Sequence, residues 1–178
     1  MATEQLLEWV IDHEFDRRTC RHTINGFDSV LHCHHYATLY CQLADDAEQF
    51  NGRALLQRAA ELAFLDVLST YFSEHGVRDL GDRVTLAEEY WRVSGWGTLQ
   101  FNHVGELSAA AQMDHSHVDE GWLKKWGRRD KPVNFIGQGY LAAALAAIYD
   151  LPAGSFRVTE TESIVSGAPA SRFNLVRA

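Results

Sequence analysis

The strongest constraint on the fold is a run of apolar residues between positions 55 and 72 that recur at helical spacing. The run comprises Leu55, Leu56, Ala59, Leu62, Ala63, Leu65, Val67, Leu68 and Phe72. Apolar residues at intervals of three and four place one face of a helix against a protein core. Gly76 follows at a position where a glycine commonly ends a helix. The pattern predicts a helix over residues 53–75.

The chain before this helix contains weaker signals. Residues 3–12 predict a short helix, and Asn25-Gly26 is a turn signal. Ser29 is a favourable N-cap, and the residues after it predict a helix that continues to about Gln49. Asn51-Gly52 breaks that pattern. We therefore expect two helices before the long one.

The centre of the chain predicts a β-hairpin with strands over residues 98–104 and 107–117. Phe101 lies on the apolar face of the first strand and Ala109 on the apolar face of the second. Directly paired residues share a face, so the loop must contain an odd number of residues. A three-residue loop over 104–106 satisfies this condition and predicts that Phe101 pairs with Ala109.

The C-terminal part predicts a helix over residues 134–149 (NFIGQGYLAAALAAIY), whose small residues permit close packing, and then strands over 155–165 and 172–176. One face of the first strand holds Phe156, Val158, Glu160, Glu162 and Ile164. Two carboxylates therefore continue an apolar face. Such an arrangement is costly unless the site is polar, occupied or open to water.

The stretch at residues 160–173 (ETESIVSGAPASRF), preceded by the helix rich in Gly and Ala, resembles the vinyl-4-reductase domain family. In that family the hairpin carries Glu-x-x-Cys-x-x-x-Gly-x-x-x-Cys-x-Phe. The family includes proposed hydrocarbon-binding proteins and the sensor domains of aromatic-responsive transcription activators. The resemblance implies an α+β fold, in which N-terminal helices pack on an antiparallel sheet and a C-terminal helix precedes a β-hairpin. We expect a single domain over residues 1–178, with an N-terminal extension (1–28) and a core (29–178).

The same resemblance bears on metal binding. In members of the family the acid and the two cysteines contribute to a zinc site, and the matching positions here are Glu160, Ser163 and Ser171. Serine hydroxyls are poor zinc ligands beside thiolate and imidazole. We therefore expect the hairpin to persist as structure without the zinc of the family.

Nine histidines are many for 178 residues and raise the possibility of a different metal site. His115 and His117 share a face if the strand continues that far, whereas His117 lies in the first turn of a helix if Ser116 and Asp119 form a capping box. His103 is excluded, because eight residues at ~3.4 Å each separate its strand position from that of His115. The candidate metal ligands are His115, His117, His32, His35 and Glu160.

Aromatic residues supply the candidate ligand pocket. A pocket in a fold of this kind lies between the helices and the sheet, and it is most often lined by apolar and aromatic side chains. The candidate ligand-binding residues are Tyr90, Trp91, Trp96, Phe101, Phe135 and Tyr140.

Composition excludes some classes of protein. The net charge of −8 argues against a nucleic-acid partner, and the basic residues between positions 124 and 131 are expected to be a solvated face. No apolar run reaches the ~18–20 residues of a membrane span. The three cysteines show no paired spacing, and the N-terminus carries acids where a signal peptide carries cations. We expect a reduced, cytoplasmic protein.

Three functions remain open. The first is the binding of a small, largely apolar ligand (aromatic, tetrapyrrole or acyl) by a stand-alone sensor or accessory protein. The second is an enzyme acting through a His/Glu site, for which the candidate cofactors are iron, zinc or haem. The third is a dimeric scaffold protein. A homodimer is expected under all three.

Overall fold

The structure is a computed structural model that describes residues 9–30 and 32–178. It contains helices and antiparallel strands in mixed order. The helices are α1 (His34–Asp46), α2 (Gly52–Glu74), α3 (Leu80–Val93), α4 (His117–Trp126) and α5 (Phe135–Ile148). The strands are β1 (His13–Asp16), β2 (Arg21–Ile24), β3 (Phe27–Ser29), β4 (Gln100–Val104), β5 (Ser108–Met113), β6 (Phe156–Glu162) and β7 (Ser171–Arg177).

The main sheet has the order β4-β5-β7-β6, and all of its neighbouring strands are antiparallel. Helix α5 packs on β6 and β7 and also against α2, and every one of its residues is buried. The core therefore lies around α5, between the helices and the sheet. The predicted α+β class, with helices packed on an antiparallel sheet and a C-terminal helix before a β-hairpin, is confirmed.

The small residues of α5 allow the close approach to α2 that the sequence predicts. A Cβ at Gly139 would lie 2.7 Å from the Cβ of Ala60 and closer still to the backbone oxygen of Gln57. Only a residue without a side chain fits at this distance. The packing of α5 thus depends on its glycine as well as on its alanines.

Helix α2 begins and ends within one residue of the predicted bounds, and Gly76 has the positive φ of +63° expected after a helix. Helix α1 is shorter than predicted. Ser29 ends β3 instead of capping a helix, and α1 begins only after Cys33. Helix α3 has no counterpart among the predicted elements.

The predicted helix over residues 3–12 falls partly on residues 1–8, which lie outside the described residues. Its described part is not helical, and the chain continues into the three-stranded sheet β1-β2-β3, which the sequence did not predict. The predicted turn at Asn25-Gly26 is confirmed, because Ile24 pairs with Phe27 around it. The Asn25 side chain also accepts from the Asp12 N–H at 2.8 Å, which ties the chain before β1 to this turn.

The register of the β4–β5 hairpin differs from the prediction. Phe101 pairs with Ala111 instead of Ala109, and a bulge separates Phe101 from His103. Near the turn Val104 pairs with Ala109, so four residues lie between the paired positions instead of the three predicted, and the bulge then changes the register by one residue. The prediction was wrong because it assumed both a shorter connection and a regular ladder.

A second bulge interrupts the alternation along β6. Glu160 is buried on the core face, as its position in the alternation predicts, whereas Glu162 is exposed. The irregularity lies between these two residues, so the side chain of Glu162 turns to solvent and pairs with Arg172 at 2.8 Å. The expectation that both carboxylates continue the apolar face was therefore correct only for Glu160.

Within the described part of the chain, no helix combines the length and the apolar character needed to cross a membrane.

Candidate functional site

An aromatic cluster formed by Phe64, Tyr90, Trp91, Trp96 and Tyr140 lies between α2, α3 and α5. The rings of Trp91 and Tyr140 are 4.6 Å apart between centroids, those of Trp91 and Trp96 5.4 Å, and those of Phe64 and Tyr140 5.0 Å. Trp91 and Tyr140 are fully buried. Such contacts stabilise a core.

One polar atom of the aromatic cluster has a hydrogen-bond partner and another has none. Tyr140 Oη donates a hydrogen bond to the backbone oxygen of Ala87, and burial raises the pKa of Tyr140 well above its ordinary value. The indole Nε1 of Trp91, by contrast, is buried and has no hydrogen-bond partner. An unsatisfied buried donor costs about 1–3 kcal/mol, so a partner for Trp91 would be favourable.

His117 brings a second polar atom without a partner to the edge of the aromatic cluster. Its backbone N–H donates to the backbone oxygen of Trp96 at 2.9 Å, and its ring lies 6.0 Å from the Trp96 ring between centroids. The Nε2 atom of His117 is buried and unpaired. Trp91 and His117 therefore both contact Trp96 and both retain an unused hydrogen-bonding group.

Four of the six predicted ligand-binding residues meet in the aromatic cluster, and the other two lie elsewhere. Phe101 is half-buried on β4, where its N–H donates to Glu88 Oε1 at 2.6 Å. Phe135 is the first residue of α5 and lines a separate cavity described below. Phe64 was not among the predicted ligand-binding residues, and it is not one of the residues of the apolar pattern that predicts α2.

The candidate metal ligands are spread over the surface and the core. His115 is exposed, and its Nδ1 lies 3.1 Å from Glu120 Oε1. His32 and His35 are also exposed, whereas Glu160 is buried. In residues 9–30 and 32–178 no three histidine, cysteine, aspartate or glutamate side chains lie close enough together to hold a metal ion.

The capping-box alternative describes the start of α4. Ser116 is the N-cap and its Oγ accepts from the Asp119 N–H at 3.2 Å, so His117 lies in the first turn of the helix. Because β5 ends at Met113, His115 and His117 do not share a strand face. The ring nearest to His117 on α1 is that of His34, 6.1 Å away between centroids, a residue that was not among the predicted ligands.

Five buried residues from α4, α5 and the β6–β7 hairpin form what we call the oxygen cluster. They are Asp119, Asn134, Glu160, Ser163 and Ser171. Asp119 Oδ2 accepts from Asn134 Nδ2 and from Ser171 Oγ, each at 3.2 Å. The N–H of Ile164 donates to Ser171 Oγ at 3.1 Å. The cluster thus connects three separate elements of the chain.

Burial perturbs both carboxyl groups of the oxygen cluster. It raises the pKa of Glu160 well above its usual range, and the neighbouring Asp119 raises it further, while the nearby hydroxyls of Ser163 and Ser171 partly oppose the rise. Burial also raises the pKa of Asp119, against hydrogen bonds from Ser116, Ser171 and Asn134. The protein therefore holds two acids where their charged forms are disfavoured.

The oxygen cluster does not fit the zinc that the family resemblance implies. Ser163 and Ser171 stand at the two cysteine positions, and the donors around Glu160 are hydroxyl, carboxylate and amide groups instead of thiolate or imidazole. Burial raises the pKa of the nearby Cys41 thiol to about 12, which keeps it protonated at neutral pH.

Two cavities lie along α2 and the edge strand β6, and one of them borders the oxygen cluster. One has a volume of about 290 Å³ and extends from Arg58 and Glu61 on α2 to Phe156 on β6. The other has a volume of about 260 Å³, and Phe135 and Glu160 are among its lining residues. Glu160 therefore borders a space that a small solute can enter.

Comparison with solved structures identifies similar folds. The phenol-responsive sensory domain of the transcription activator PoxR, solved with phenol, has a TM-score of 0.76 and 13% identity, over 93% of this chain and 84% of that one. The chain is similar in fold to the PoxR sensory domain. At this identity the likeness shows the fold alone.

Two further structures are more distant. Trafficking protein particle complex subunit 3 from Naegleria fowleri, covalently bound to palmitic acid, has a TM-score of 0.53 and 11% identity, over 82% of this chain and 94% of that one. A vinyl-4-reductase family protein from Methanocaldococcus jannaschii has a TM-score of 0.49 and 13% identity, over 69% of this chain and 68% of that one. No family model and no curated protein matches the sequence.

Proposed function

We propose that this protein is a binding module for a small, largely apolar ligand that carries one polar group, and that the ligand lies against the aromatic cluster. The observation that carries the proposal is the pair of buried polar atoms without partners, Trp91 Nε1 and His117 Nε2, on two rings that contact Trp96. A ligand hydroxyl that reaches Trp91 Nε1 accepts a hydrogen bond from the indole N–H, and one that reaches His117 Nε2 forms a hydrogen bond with the imidazole.

The neighbouring folds support this choice of ligand class. The PoxR sensory domain was solved with phenol, which combines an apolar ring with one hydroxyl group. The subunit from Naegleria fowleri holds palmitic acid, which combines an apolar chain with one polar end. Both ligands have the combination that the aromatic cluster and its two unpaired atoms favour here.

The hypothesis of a metal- or haem-dependent enzyme has no comparable support. His115, His32 and His35 are exposed, and Glu160 bonds to Gln138 rather than to a histidine. We therefore place the metal-dependent enzyme second.

Titration of the protein with phenol, followed by calorimetry and by tryptophan fluorescence, tests the proposal. We expect saturable binding, and weaker binding of toluene, which has the same ring without the hydroxyl group. Trp91→Phe and His117→Gln should each weaken phenol binding by about 2- to 10-fold, because each removes one hydrogen bond.

Matched control variants show whether a loss of affinity is specific to Trp91 and His117 or follows from removing any tryptophan or histidine. Trp126→Phe and His115→Gln change the same residue types at positions away from the aromatic cluster and should leave the affinity unchanged. If neither phenol nor palmitate gives a saturable signal, or if the control variants weaken binding as much as the site variants, the proposal is wrong.

The expected homodimer, the single-domain organisation and the cytoplasmic location also remain proposals. A feature that favours self-association is the set of exposed apolar residues on the outer faces of α1 and α2, namely Tyr36, Tyr40, Leu43, Leu55 and Leu62. Light scattering coupled to gel filtration tests it. Wild type should elute with twice the chain mass and Leu62→Glu with a single chain mass, whereas a monomeric wild type would contradict the prediction.

A further inference from the structure

The oxygen cluster leaves three buried oxygen atoms without hydrogen-bond partners. These atoms are Asp119 Oδ1, Glu160 Oε1 and Ser163 Oγ, and all three residues are at most 8% exposed. A native protein rarely buries unsatisfied polar atoms, and here three occur on residues that are close enough to perturb one another. Their concentration in one place indicates a missing partner.

A partner at this place should also compensate the negative charge of two carboxylates. Asp119 and Glu160 are two buried acids, and the hydrogen bonds described for them come from Asn134, Ser171 and Gln138, all of them neutral side chains. In the described part of the chain no arginine or lysine forms a salt bridge with either carboxylate. Buried carboxylates are usually paired with a cation or coordinate a metal.

We propose that the oxygen cluster binds a hard divalent cation, Mg²⁺ or Ca²⁺, through the carboxylates of Asp119 and Glu160 and the hydroxyl of Ser163. Carboxylate and hydroxyl oxygens are the donors that these ions prefer. One such ion satisfies all three unpaired atoms and neutralises both charges. Ser171 and Asn134 hold the other oxygen of Asp119, which leaves Oδ1 free for the ion.

The site has a route to solvent. Glu160 lines the cavity of about 260 Å³, and Lys131 and Arg53 lie at the same cavity. Arg53 is held by Asp45 at 2.7 Å, so its charge is partly compensated. Water entering through this cavity supplies the remaining positions in the coordination sphere, because Mg²⁺ usually retains several water ligands.

Thermal unfolding of protein first treated with EDTA and then supplied with MgCl₂, CaCl₂ or sodium chloride of equal ionic strength tests the proposal. At a hundred-fold excess over the dissociation constant, Mg²⁺ or Ca²⁺ should raise Tm by about 5–10 °C. Sodium chloride should produce no such shift. If neither divalent ion raises Tm and calorimetry detects no binding, the proposal is overturned, and protons neutralise the cluster instead.

Two substitutions on one strand provide a matched comparison. Glu160→Gln should abolish the shift, since it removes a ligand charge, whereas Glu162→Gln should keep it, because Glu162 is exposed and pairs with Arg172. Glu160→Gln is expected to fold, because glutamine has the shape of glutamate and its side-chain oxygen can still accept from Gln138, and circular dichroism checks this. A Glu160→Gln variant that retains the full shift contradicts the assignment.

Replacing hydroxyls by thiols tests which groups face the ion. In the variant Ser163→Cys/Ser171→Cys, thiolates replace hydroxyls beside Glu160, so zinc affinity should rise at least 10-fold over wild type while the response to Mg²⁺ and Ca²⁺ falls. Circular dichroism of this variant should match wild type. Unchanged affinities for all three metals would show that these side chains do not face an ion and would overturn the proposal.

Discussion

Replacement of Gly139 by alanine tests the contact between α2 and α5, which borders one of the two cavities. The added Cβ would lie 2.7 Å from the Cβ of Ala60 and closer still to the Gln57 backbone oxygen. Carbon atoms in contact normally lie about 3.5–4.0 Å apart, so α2 would have to move by about 1 Å. Overpacking of a core costs about 1–3 kcal/mol. Because the obstructing groups belong to a helix backbone rather than to a flexible side chain, we expect the upper half of this range.

A second effect acts in the opposite direction. Alanine is favoured over glycine within a helix by about 0.8–1.0 kcal/mol. The net change for Gly139→Ala is therefore a loss of about 1–2 kcal/mol in the free energy of unfolding. For a protein of this size that loss lowers Tm by about 2–8 °C.

Urea unfolding followed by circular dichroism measures this loss, and Gly81→Ala on α3 provides the control. A Cβ at Gly81 meets only an oxygen of the Asp79 side chain, at 3.1 Å, and the same oxygen caps α3. A weaker cap and the helix preference for alanine act in opposite directions, so the control should remain within about 1 kcal/mol of wild type. A Gly139→Ala variant as stable as wild type, or more stable, would refute the close packing of α2 on α5.

One further substitution and one labelling experiment test separate parts of the fold. Burial alone would raise the pKa of Asp45, but Arg129 and Arg53, which bond to it at 2.9 and 2.7 Å, outweigh this effect and lower it. A carboxyl group whose pKa is lowered by folding stabilises the protein above its unfolded pKa of about 3.9, and this stabilisation is lost as the pH falls through the folded pKa. Asp45→Asn should therefore lower the free energy of unfolding by about 1–2 kcal/mol at pH 7 and by less below about pH 4. Equal stability of the two proteins at pH 7 in urea unfolding would contradict this. Burial raises the pKa of Cys41 to about 12, so Ellman's reagent should label only the two exposed cysteines in the native protein and the third after unfolding; rapid labelling of all three would show that Cys41 is accessible.

The sequence predicts those elements best whose signals are local. Helix α2 has a complete apolar stripe, and the turn at Asn25-Gly26 needs only two residues that tolerate positive φ, with values of +49° and +79° here. The strands of the small sheet were missed because their side chains are mostly exposed, which removes the alternation that predicts a strand. Helix α3 was not predicted, because only Leu86, Ala87 and Trp91 of its residues are buried and its apolar stripe is incomplete. The N-cap at Asp79, whose side chain accepts from the Asp82 N–H, is its local signal.

The sequence predicted only that part of the candidate site which follows from the alternation along a single strand. The alternation along β6 was enough to bury Glu160, whereas the bulge that follows it, and therefore the exposure of Glu162, depends on pairing with β7. The convergence of Asp119 and Asn134 on Ser171 brings together residues up to 52 positions apart and has no local signal. The sequence placed Glu160 and Glu162 on the apolar face, whereas the buried acid that accompanies Glu160 in the structure is Asp119.

The start of α4 links the two proposed sites. Ser116 caps the helix through the N–H of Asp119, which belongs to the oxygen cluster, while His117 between them turns its ring toward Trp96 in the aromatic cluster. The proposed cation ligand Asp119 and the unpaired His117 Nε2 therefore lie on one helical turn. For this reason we expect a cation at the oxygen cluster to change the affinity for the apolar ligand. Thermodynamic linkage requires such an effect to be reciprocal. If the cation changes the affinity for the apolar ligand by some factor, the apolar ligand must change the affinity for the cation by the same factor.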